Sequence, residues 1–575
     1  MRHPAPRLAL VASALLALGA CTPRGNDAAP AADAKDPAAA RVAPATVHAF
    51  KDGIDAADFA EHVEHLASDD FGGRGPGSAG EDKTVDYIKS QFARIGLQPG
   101  NGGDWFQTVP MVETTADESA TLDLAVGGQR QVLAFGKDMV IGTRTGQPVV
   151  NLKDSPLVFV GYGVDAPEQA WNDYAGLDVK GKTVVMLVND PGFHARDARL
   201  FDGNRMTYYG RWTYKFEEAA RKGAAAALII HDTDGASYGW DVVRNSWSGP
   251  QYDLPAKDDP APRVPVQGWI SGEAADALFK AAGQDLGKLR AAANKRGFKP
   301  VPLDATASLQ LKSRSVEKQS RNVIGMLPGS EAPEEAIVYM AHWDHLGTHE
   351  GEAGDNIYNG AVDNATGIAG ILEIAEAFRK APTPPKRSVL FLAVTLEESG
   401  LLGSKYYVAH PVVPLDKTVA VFNLDALAPV GRARDLTVVG KGSSQLEDLL
   451  KAILDRQGRH AEAEDNTAAG YYFRSDHFNF AKAGVPALYI DSGIDLVEGG
   501  KAAGQAAGKA YTEQRYHKPG DQYDTATWNL DGIVQDLGTV YDVGETLANN
   551  GAWPNWYEGN PFKAARDRQR PAATP

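Results

Sequence analysis

The sequence predicts an α/β fold with a mainly parallel, mixed sheet and helices on both faces, interrupted by a smaller β-rich domain. Uninterrupted apolar runs at 337–340 and 389–394 are typical of strands that are buried on both faces. Between them, residues 368–378 have apolar side chains at helical spacing. A third observation predicts the smaller domain, because short apolar strands separated by loops rich in glycine, aspartate and aromatic residues begin near Val149.

Length and composition limit the possible classes of protein. With 575 residues the chain is too long for one core, and a net charge of −16 argues against a nucleic-acid-binding surface. The sequence predicts no oligomeric state. We predict a signal peptide at 1–20, a flexible tether at 21–50, the first part of the main domain at 51–148, the inserted domain at 149–264, the rest of the main domain at 265–555 and a tail at 556–575 that is polar and loose after Pro561.

The N-terminus has the pattern of an exported protein. Arg2 and Arg7 precede an apolar run at 8–20 that is too short to span a bilayer comfortably, and the run ends at Cys21, the only cysteine. This end resembles the lipobox of bacterial lipoproteins, in which the cysteine is lipidated. The resemblance implies an exported protein of the cell envelope, on its periplasmic or outer-membrane side, that contacts the membrane only through an N-terminal lipid anchor.

Histidine and carboxylate side chains follow several of the predicted strands. Ligands of parallel sheets bind in the crevice beyond the carboxyl ends of the strands. Two adjacent metal ions are best held by a bridging carboxylate, with imidazole and carboxylate ligands completing each site. The candidate residues are His342, Asp363, Glu397, Glu398, Asp425 and His517.

Two further features refine this interpretation. Because neighbouring residues at a strand end point in different directions, one of Glu397 and Glu398 can bind metal while the other acts as a base. Asp344, two residues after His342, is placed to hydrogen-bond its imidazole. Each residue alone has an ordinary explanation, such as a helix cap for Asp363. Together they are harder to explain in that way, because several strands all end in ligand-type residues.

At this point the phrases AHWDH, GAVDNATG, LEESGLLGS, NLDA and YHKPGD resemble peptidase family M28, whose members include bacterial leucyl aminopeptidases with two zinc ions. The resemblance extends from about Asp55 to Leu547. Residues 158–193 resemble the protease-associated (PA) domain that is often inserted in this family. The resemblance therefore implies a zinc aminopeptidase-like fold with an inserted PA-like domain, and we expect that insert to restrict access to the cleft.

The resemblance also implies roles for individual residues. It makes Asp363 the ligand that bridges two zinc ions per chain. The other implied zinc ligands are His342 and Asp425 at one ion, and Glu398 and His517 at the other. Glu397 matches the general base and Asp344 the residue that orients His342. Tyr472 matches a tyrosine that stabilises the tetrahedral intermediate, whereas His345, Asp476 and His477 are expected to pack or support the site.

The implied activity is removal of N-terminal residues from peptides. Three alternatives remain open. A carboxypeptidase of the same family would need a basic residue for the substrate carboxylate, for which Arg474 is the candidate. A glutaminyl-cyclase-like transferase would use one zinc ion, and a binding protein with an inactive core would use none.

Overall fold

The computed structural model describes residues 48–349 and 354–570. The chain divides into a short first unit, Met1–Ala49, and a second unit, Phe50–Pro575. The signal peptide, Cys21 and nearly all of the tether therefore lie outside the described residues, and those expectations stay predictions. Within the described ranges, no helix combines the length and the hydropathy that a membrane span requires.

The main sheet has four adjacent parallel strands at its centre. Ala332–His342 pairs in parallel with Arg387–Val394 on one side and with Thr418–Leu424 on the other, and Ala487–Asp491 pairs in parallel with Thr418–Leu424. All four are largely buried because the sheet is covered on both faces. Antiparallel or short strands flank them, namely Pro250–Asp253, Phe106–Ala116 and Val301–Leu327 on one side, and Asp435–Val438 and His460–Ala463 on the other.

Helices cover both faces of this sheet, as the sequence predicts. On one face, Thr366–Lys380 and Asp531–Asn550 bury apolar side chains such as Ile371 and Leu537 in the largest core cluster. On the other face, Tyr407 and Phe480 bring two shorter helices against the strands. The described α-helices are Ala56–Leu66, Ala79–Ile95, Pro191–Ala195, Trp212–Arg221, Thr233–Ala236, Trp240–Trp247, Gly272–Ala281, Leu286–Ala293, Thr366–Lys380, Leu402–Ala409, Leu446–Gln457, His477–Lys482, Gly500–Gln514, Asp531–Asn550 and Lys563–Gln569.

The ends of the first two helices follow from local sequence. Asp55 accepts hydrogen bonds from the backbone N–H groups of Ala57 and Asp58, so it caps the helix that begins at Ala56. The next helix ends at Gly96, whose φ of +88° is the left-handed conformation expected of a C-terminal glycine.

A second sheet contains the predicted insert and extends past it at both ends. Thr183–Leu187 pairs in parallel with Val149–Phe159 and with Ala226–Ile230. However, Thr121–Val126 and Val266–Ile270, which lie outside 149–264, also pair in this sheet. The other strands of this sheet are Gln129–Ala134, Met139–Gly142 and the first part of Val301–Leu327. The domain limits stay a prediction, and the strand pairing places the edges of the second sheet outside them.

One long strand belongs to both sheets. Val301–Leu327 pairs with Val149–Phe159 through its first half and with Phe106–Ala116 and Arg387–Val394 through its second half. The second sheet is therefore joined, through this one strand and its hydrogen bonds, to Arg387–Val394, the strand that precedes Glu397.

The chain after Pro561 packs against the main sheet as far as residue 570. Lys563–Gln569 is a helix, and Arg566 is only 2% exposed. Its guanidinium donates hydrogen bonds to the carbonyl groups of Thr418 and Val419. The expectation of a loose tail is therefore wrong for these residues, because one buried arginine is held by the backbone of a central strand.

Candidate metal centre

The carboxyl ends of three central strands bring the predicted ligands together. His342 is the last residue of its strand, and Asp425 directly follows Thr418–Leu424. Glu397 and Glu398 lie in the loop after Arg387–Val394. Asp363 belongs to the turn that precedes the helix Thr366–Lys380, and the Asp363–Asn364 peptide bond is cis.

One group of ligand atoms forms around the imidazole of His342. Its Nε2 lies 3.2 Å from Oδ1 of Asp425 and 3.3 Å from Oδ1 of Asp363. One ligand atom from each of the three residues lies within 4.8 Å of the others, which is close enough to share one cation.

A second group forms on the other oxygen of Asp363. Nε2 of His517 lies 3.4 Å from Oδ2 of Asp363 and 3.1 Å from Oε2 of Glu398. His345 also contacts Glu398, with 2.6 Å between Nδ1 and Oε1, and the ligand atoms of His345, Asp363 and Glu398 lie within 4.8 Å of one another. The structure thus brings His345 into the second group, where the sequence indicates a packing or supporting residue; its role there stays open.

The side chain of Asp344 is oriented differently from the sequence-based expectation. Its Oδ1 lies 3.9 Å from Nδ1 of His342, which is too far for a hydrogen bond. Nδ1 is instead 3.1 Å from the backbone carbonyl oxygen of Asp344. The carboxylate accepts hydrogen bonds from the N–H groups of Glu397, at 3.1 Å, and Glu398, at 3.4 Å. Asp344 therefore holds the loop that carries both glutamates.

The loop before Asp363 is held by Asp521, which lies four residues after His517. The Asp521 carboxylate accepts a hydrogen bond from the N–H of Asp363 at 3.0 Å and one from the N–H of Val362 at 3.1 Å. Gly360 completes this turn with a φ of +56°, and a Cβ at that position would lie 2.2 Å from the carbonyl oxygen of Asp363. A side chain at residue 360 would therefore displace Asp363.

A buried arginine connects the two ligand-bearing loops. Arg74 is 1% exposed, and its guanidinium donates hydrogen bonds to the carbonyl groups of Trp343, at 2.8 Å, and Gly360, at 2.8 Å. It also donates to the carbonyl oxygens of Leu66 and Asn359. The sequence indicates only a turn at 72–77, since nothing in the glycine-rich pattern shows which side chain points inward.

Left-handed backbone conformations flank several ligands. Leu396, Ala426 and His517 have φ values of +56°, +57° and +54° although none is glycine. Leu396 precedes Glu397 and Ala426 follows Asp425. Non-glycine residues in this region are uncommon and cluster at functional sites, where surrounding contacts must hold them.

The electrostatics of the cluster favour cations among the carboxylates. Burial raises the pKa of Asp363, but hydrogen bonds with His342 and His517 outweigh burial and hold that pKa well below its usual value. Burial lowers the pKa of His517, but the charge of Glu398, the hydrogen bonds with Asp363 and Glu398 and the charge of Asp363 together outweigh burial and raise that pKa to about 10. Asp363 and Glu398, whose pKa values are lowered, stay ionised by attracting positive charge, which protonated imidazoles or metal ions can supply equally.

Tyr472 lies in a buried apolar pocket. Its ring contacts Gly440 and stacks edge-on against His477, with 4.7 Å between ring centroids. The hydroxyl is buried and has no hydrogen-bond partner within the described ranges. Burial and then the charge of Glu447 raise the pKa of Tyr472, whereas burial and then the charge of Asp425 raise the pKa of Tyr489. The role of Tyr472 at the metal centre stays a prediction.

The donor set fits divalent zinc. Zinc in proteins is bound by imidazole nitrogen and carboxylate oxygen, and paired sites share a carboxylate. Here one buried carboxylate, Asp363, presents its two oxygens to two separate groups of ligand atoms. Nε2 of His345 is buried without a hydrogen-bond partner in the described part of the chain. An α/β sheet with such a cluster at its strand ends defines the class of metal-dependent α/β enzymes.

Comparison with known proteins agrees with that class. Residues 322–540, the segment that carries the cluster, match the family model described as Peptidase family M28. The chain is 29% identical over 191 residues to "Aminopeptidase YwaD" of Bacillus subtilis (strain 168), a match that covers 31% of this chain and 37% of that protein. It is 30% identical over 137 residues to "Aminopeptidase NAALADL1" of Mus musculus, covering 22% of this chain and 17% of that protein.

The matched part spans less than half the length of these curated relatives. A structural comparison covers more of the molecule. The solved structure "Aminopeptidase from Aneurinibacillus sp. strain AM-1" aligns with a TM-score of 0.50 at 22% identity, over 86% of this chain and 94% of that one. At this identity the likeness supports the fold, and the predicted α/β class is confirmed.

Proposed function

We propose that this protein is a zinc-dependent exopeptidase that removes N-terminal residues from peptides. The single observation that supports this most strongly is the sharing of Asp363 between two groups of histidine and carboxylate ligands. Family M28 is a peptidase family, and the similar proteins are named as aminopeptidases. His342 and Asp425 would hold one zinc ion, and Glu398 and His517 the other, with Asp363 between them.

When bound, the metal ions lower the pKa of a coordinated water towards about 7 and polarise the scissile carbonyl. Glu397 is suited to take up the proton, because its side chain is only half-buried and accepts no side-chain hydrogen bond within the described ranges. Burial raises the pKa of Glu397 well above its usual value, against the charge of His342. A carboxylate with a raised pKa accepts a proton readily and can return it to the leaving amine.

The contacts of Asp344 fix that base in place. Since both loop N–H groups bind one carboxylate, the backbone of Glu397 is held while its side chain stays available. The adjacent residue Glu398 contacts His345 and His517 instead. Two neighbouring glutamates thus have different surroundings, which supports one base and one ligand.

The test compares the two glutamates. Glu397→Gln should retain zinc and lower kcat by about 10²–10⁴-fold, because a positioned acid–base group is lost. Glu398→Gln should lose both zinc and turnover, because a ligand is lost. Zinc content is measured by elemental analysis and turnover with leucyl-anilide. Normal hydrolysis by Glu397→Gln would refute the base assignment.

Blocked substrates separate the related activities. An aminopeptidase should cleave a peptide with a free amino terminus and leave the N-acetylated peptide intact. Cleavage of the acetylated peptide at its C-terminus would indicate a carboxypeptidase instead. Release of pyroglutamate from an N-terminal glutamine peptide without hydrolysis would indicate a cyclase.

A further inference from the structure

His342 and His517 reach the candidate metal centre from segments that are supported in different ways. His342 ends a central strand, and its side chain is 1% exposed. The side chain of His517 is 27% exposed, and this residue lies outside the helices and strands. The position of His517 is therefore set by the chain on either side of it, because no sheet holds its backbone.

That chain is anchored at two places. On the N-terminal side, the guanidinium of Arg434 donates a hydrogen bond from Nη2 to the carbonyl oxygen of Val497 at 3.0 Å. On the C-terminal side, the carboxylate of Asp521 accepts the hydrogen bond from the N–H of Asp363 at 3.0 Å. Residues 498–520 lie between these anchors and form what we call the strap. The strap therefore carries the histidine of the second group of ligand atoms.

The helix of the strap buries little surface. Gly500–Gln514 has one buried residue, Gly504, and the atoms nearest to that glycine belong to the backbone of Ile494. By contrast, the shorter helix Leu446–Gln457 buries four large apolar side chains, namely those of Leu446, Leu450, Ile453 and Leu454. Helices in proteins gain most of their stability from packing an apolar face. The strap helix lacks that source of stability.

The other contacts of this helix within the described ranges are weak. Gln505 donates a hydrogen bond from Nε2 to Oδ2 of Asp465 at 2.9 Å, but both side chains are exposed, so the net contribution is small. The hydroxyl of Tyr511 is buried without a hydrogen-bond partner in the described part of the chain. Gly508, inside the helix, lowers helix propensity relative to alanine. The helix begins directly after Gly499, whose φ is +90°, and a glycine at the end of an element can absorb the backbone change of a hinge.

The imidazole of His517 connects the strap to buried carboxylates. Its Nε2 lies 3.1 Å from Oε2 of Glu398 and 3.4 Å from Oδ2 of Asp363. The ring of Tyr516, also on the strap, stacks on this imidazole with 4.0 Å between ring centroids. Ion pairs of a partly exposed group are weak, whereas coordination of zinc by the same nitrogen is strong and directional. An ion that binds only the closed arrangement lowers the population of the open one.

We propose that the strap is a zinc-dependent closing element, which docks on the metal centre when His517 binds zinc and opens about Gly499 in the metal-free protein. The proposal rests on the zinc centre of the proposed function and concerns its regulation. Closure by zinc couples the shape of the cleft to the metal, because the segment that carries this ligand also lies against Glu398.

The test is limited digestion of the full-length protein with trypsin, after removal of metal or after loading with zinc. The strap offers three cleavage sites, after Lys501, Lys509 and Arg515. Zinc should slow cleavage at these sites by about 10-fold or more, because trypsin cuts the open form. Cleavage after Lys451 and Arg456, in the well-packed helix, is the internal reference and should change by less than about 2-fold. Unchanged cleavage of the strap, or equal slowing at both helices, would overturn the proposal.

Histidine variants locate the effect. His517→Ala, treated with zinc, should be cleaved in the strap at the rate of the metal-free wild type, because the ligand on the strap is lost. His460→Ala is the matched control, since His460 is an exposed histidine that lies 3.4 Å from Glu462 and belongs to neither group of ligand atoms. This variant should keep the protection by zinc. Protection of the strap in His517→Ala would contradict closure through this imidazole.

Zinc content and hydrolysis of leucyl-anilide, measured on the same samples, keep this result apart from the proposed function. Protection of the strap by bound zinc without hydrolysis would contradict the peptidase and support the strap. Hydrolysis with zinc bound and no protection would overturn the strap alone. Failure to bind zinc would overturn both.

Discussion

Two clusters of buried charge lie beyond the carboxyl ends of parallel strands, one in each sheet. In the second sheet, Asp190 follows the strand Thr183–Leu187 after two residues, and Asp173 and Lys215 lie with it in the interior. Lys215 is fully buried and donates from Nζ to the carbonyl groups of Tyr162, at 2.6 Å, and Asn189, at 2.8 Å. Asp173 accepts from the Trp171 indole N–H at 2.8 Å.

The two clusters differ in the source of positive charge. In the second sheet, burial lowers the pKa of Lys215 to about 7, and the charges of Asp190 and Asp173 oppose that change. A basic side chain of the protein itself thus lies with the two carboxylates there. Around Asp363 the same position in the fold holds three histidines and an excess of carboxylates. Both clusters therefore lie at strand ends, so their position in the fold does not tell them apart. The kinds of side chain do: lysine with carboxylates in the structural cluster, and histidines with carboxylates in the candidate metal centre.

The largest expected effect comes from exchanging one carboxylate in each cluster. Asp363→Asn should lower kcat/KM by about 10⁴-fold or more, because both groups of ligand atoms share this residue. Asp173→Asn should keep kcat and zinc content within about 2-fold at temperatures where it is folded, because Asp173 belongs to neither of the two groups of ligand atoms found in the described residues. Steady-state kinetics at matched zinc loading measure both. Loss of zinc from Asp173→Asn would remove the distinction between the clusters.

Removal of the lysine tests the structural cluster directly. Lys215→Met should lower the free energy of unfolding by about 3–5 kcal/mol, because the buried carbonyl groups of Tyr162 and Asn189 lose their donor and the aspartates nearby lose a basic group. Lys222→Met is the control; this lysine is partly exposed and pairs with Asp165, so its loss should cost no more than about 1 kcal/mol. Urea unfolding of the metal-free proteins measures the difference. Equal losses of unfolding free energy in the two variants would contradict the assignment of Lys215 to a structural cluster.

Substitutions at Arg74 and Arg566 distinguish a residue that supports the metal centre from one that only stabilises the fold. Both are buried arginines that donate to backbone carbonyl groups, but only Arg74 binds the ligand-bearing loops. Arg74→Lys should weaken zinc binding by about 10–100-fold, as loss of groups that orient ligands does. Arg566→Lys should destabilise the fold without changing zinc affinity. Chelator competition measures the zinc affinity of each variant. Equal changes in zinc affinity in the two variants would show that Arg74 is merely structural.

The smallest effect concerns a buried histidine with neither metal nor counter-charge. Burial lowers the pKa of His477 to about 3, so this group stays neutral in the folded state. The unfolded state binds a proton below about pH 6.5, so the contribution to stability is present above that pH and is lost as pH falls towards about 3.

The corresponding measurement is the free energy of unfolding of metal-free protein between pH 7 and pH 5.5. Wild type should lose about 1 kcal/mol more than His477→Phe over this interval. Phenylalanine fits the aromatic surroundings, since His477 packs between Tyr472 and Tyr489. An identical pH dependence in both proteins would show that His477 takes up a proton as readily in the folded state as in the unfolded state.

The features that sequence can predict are those encoded by local pattern. Apolar runs predict the central strands, and the residues after them predict where His342 and Asp425 lie. The contacts of Arg74, Asp521 and His345 depend on loops that fold against distant segments, and no spacing in the sequence indicates them. Lys215 is missed for a related reason, because a lysine in a short amphipathic helix ordinarily faces solvent.

Zinc stoichiometry tests the central claim most directly. The protein is stripped with a chelator, dialysed against zinc and passed through a desalting column, and its zinc content is then measured by elemental analysis. Two tightly held zinc ions per chain are expected, because Asp363 faces two groups of ligand atoms. Retention of no zinc would contradict the metal centre, and a single ion would contradict the shared carboxylate.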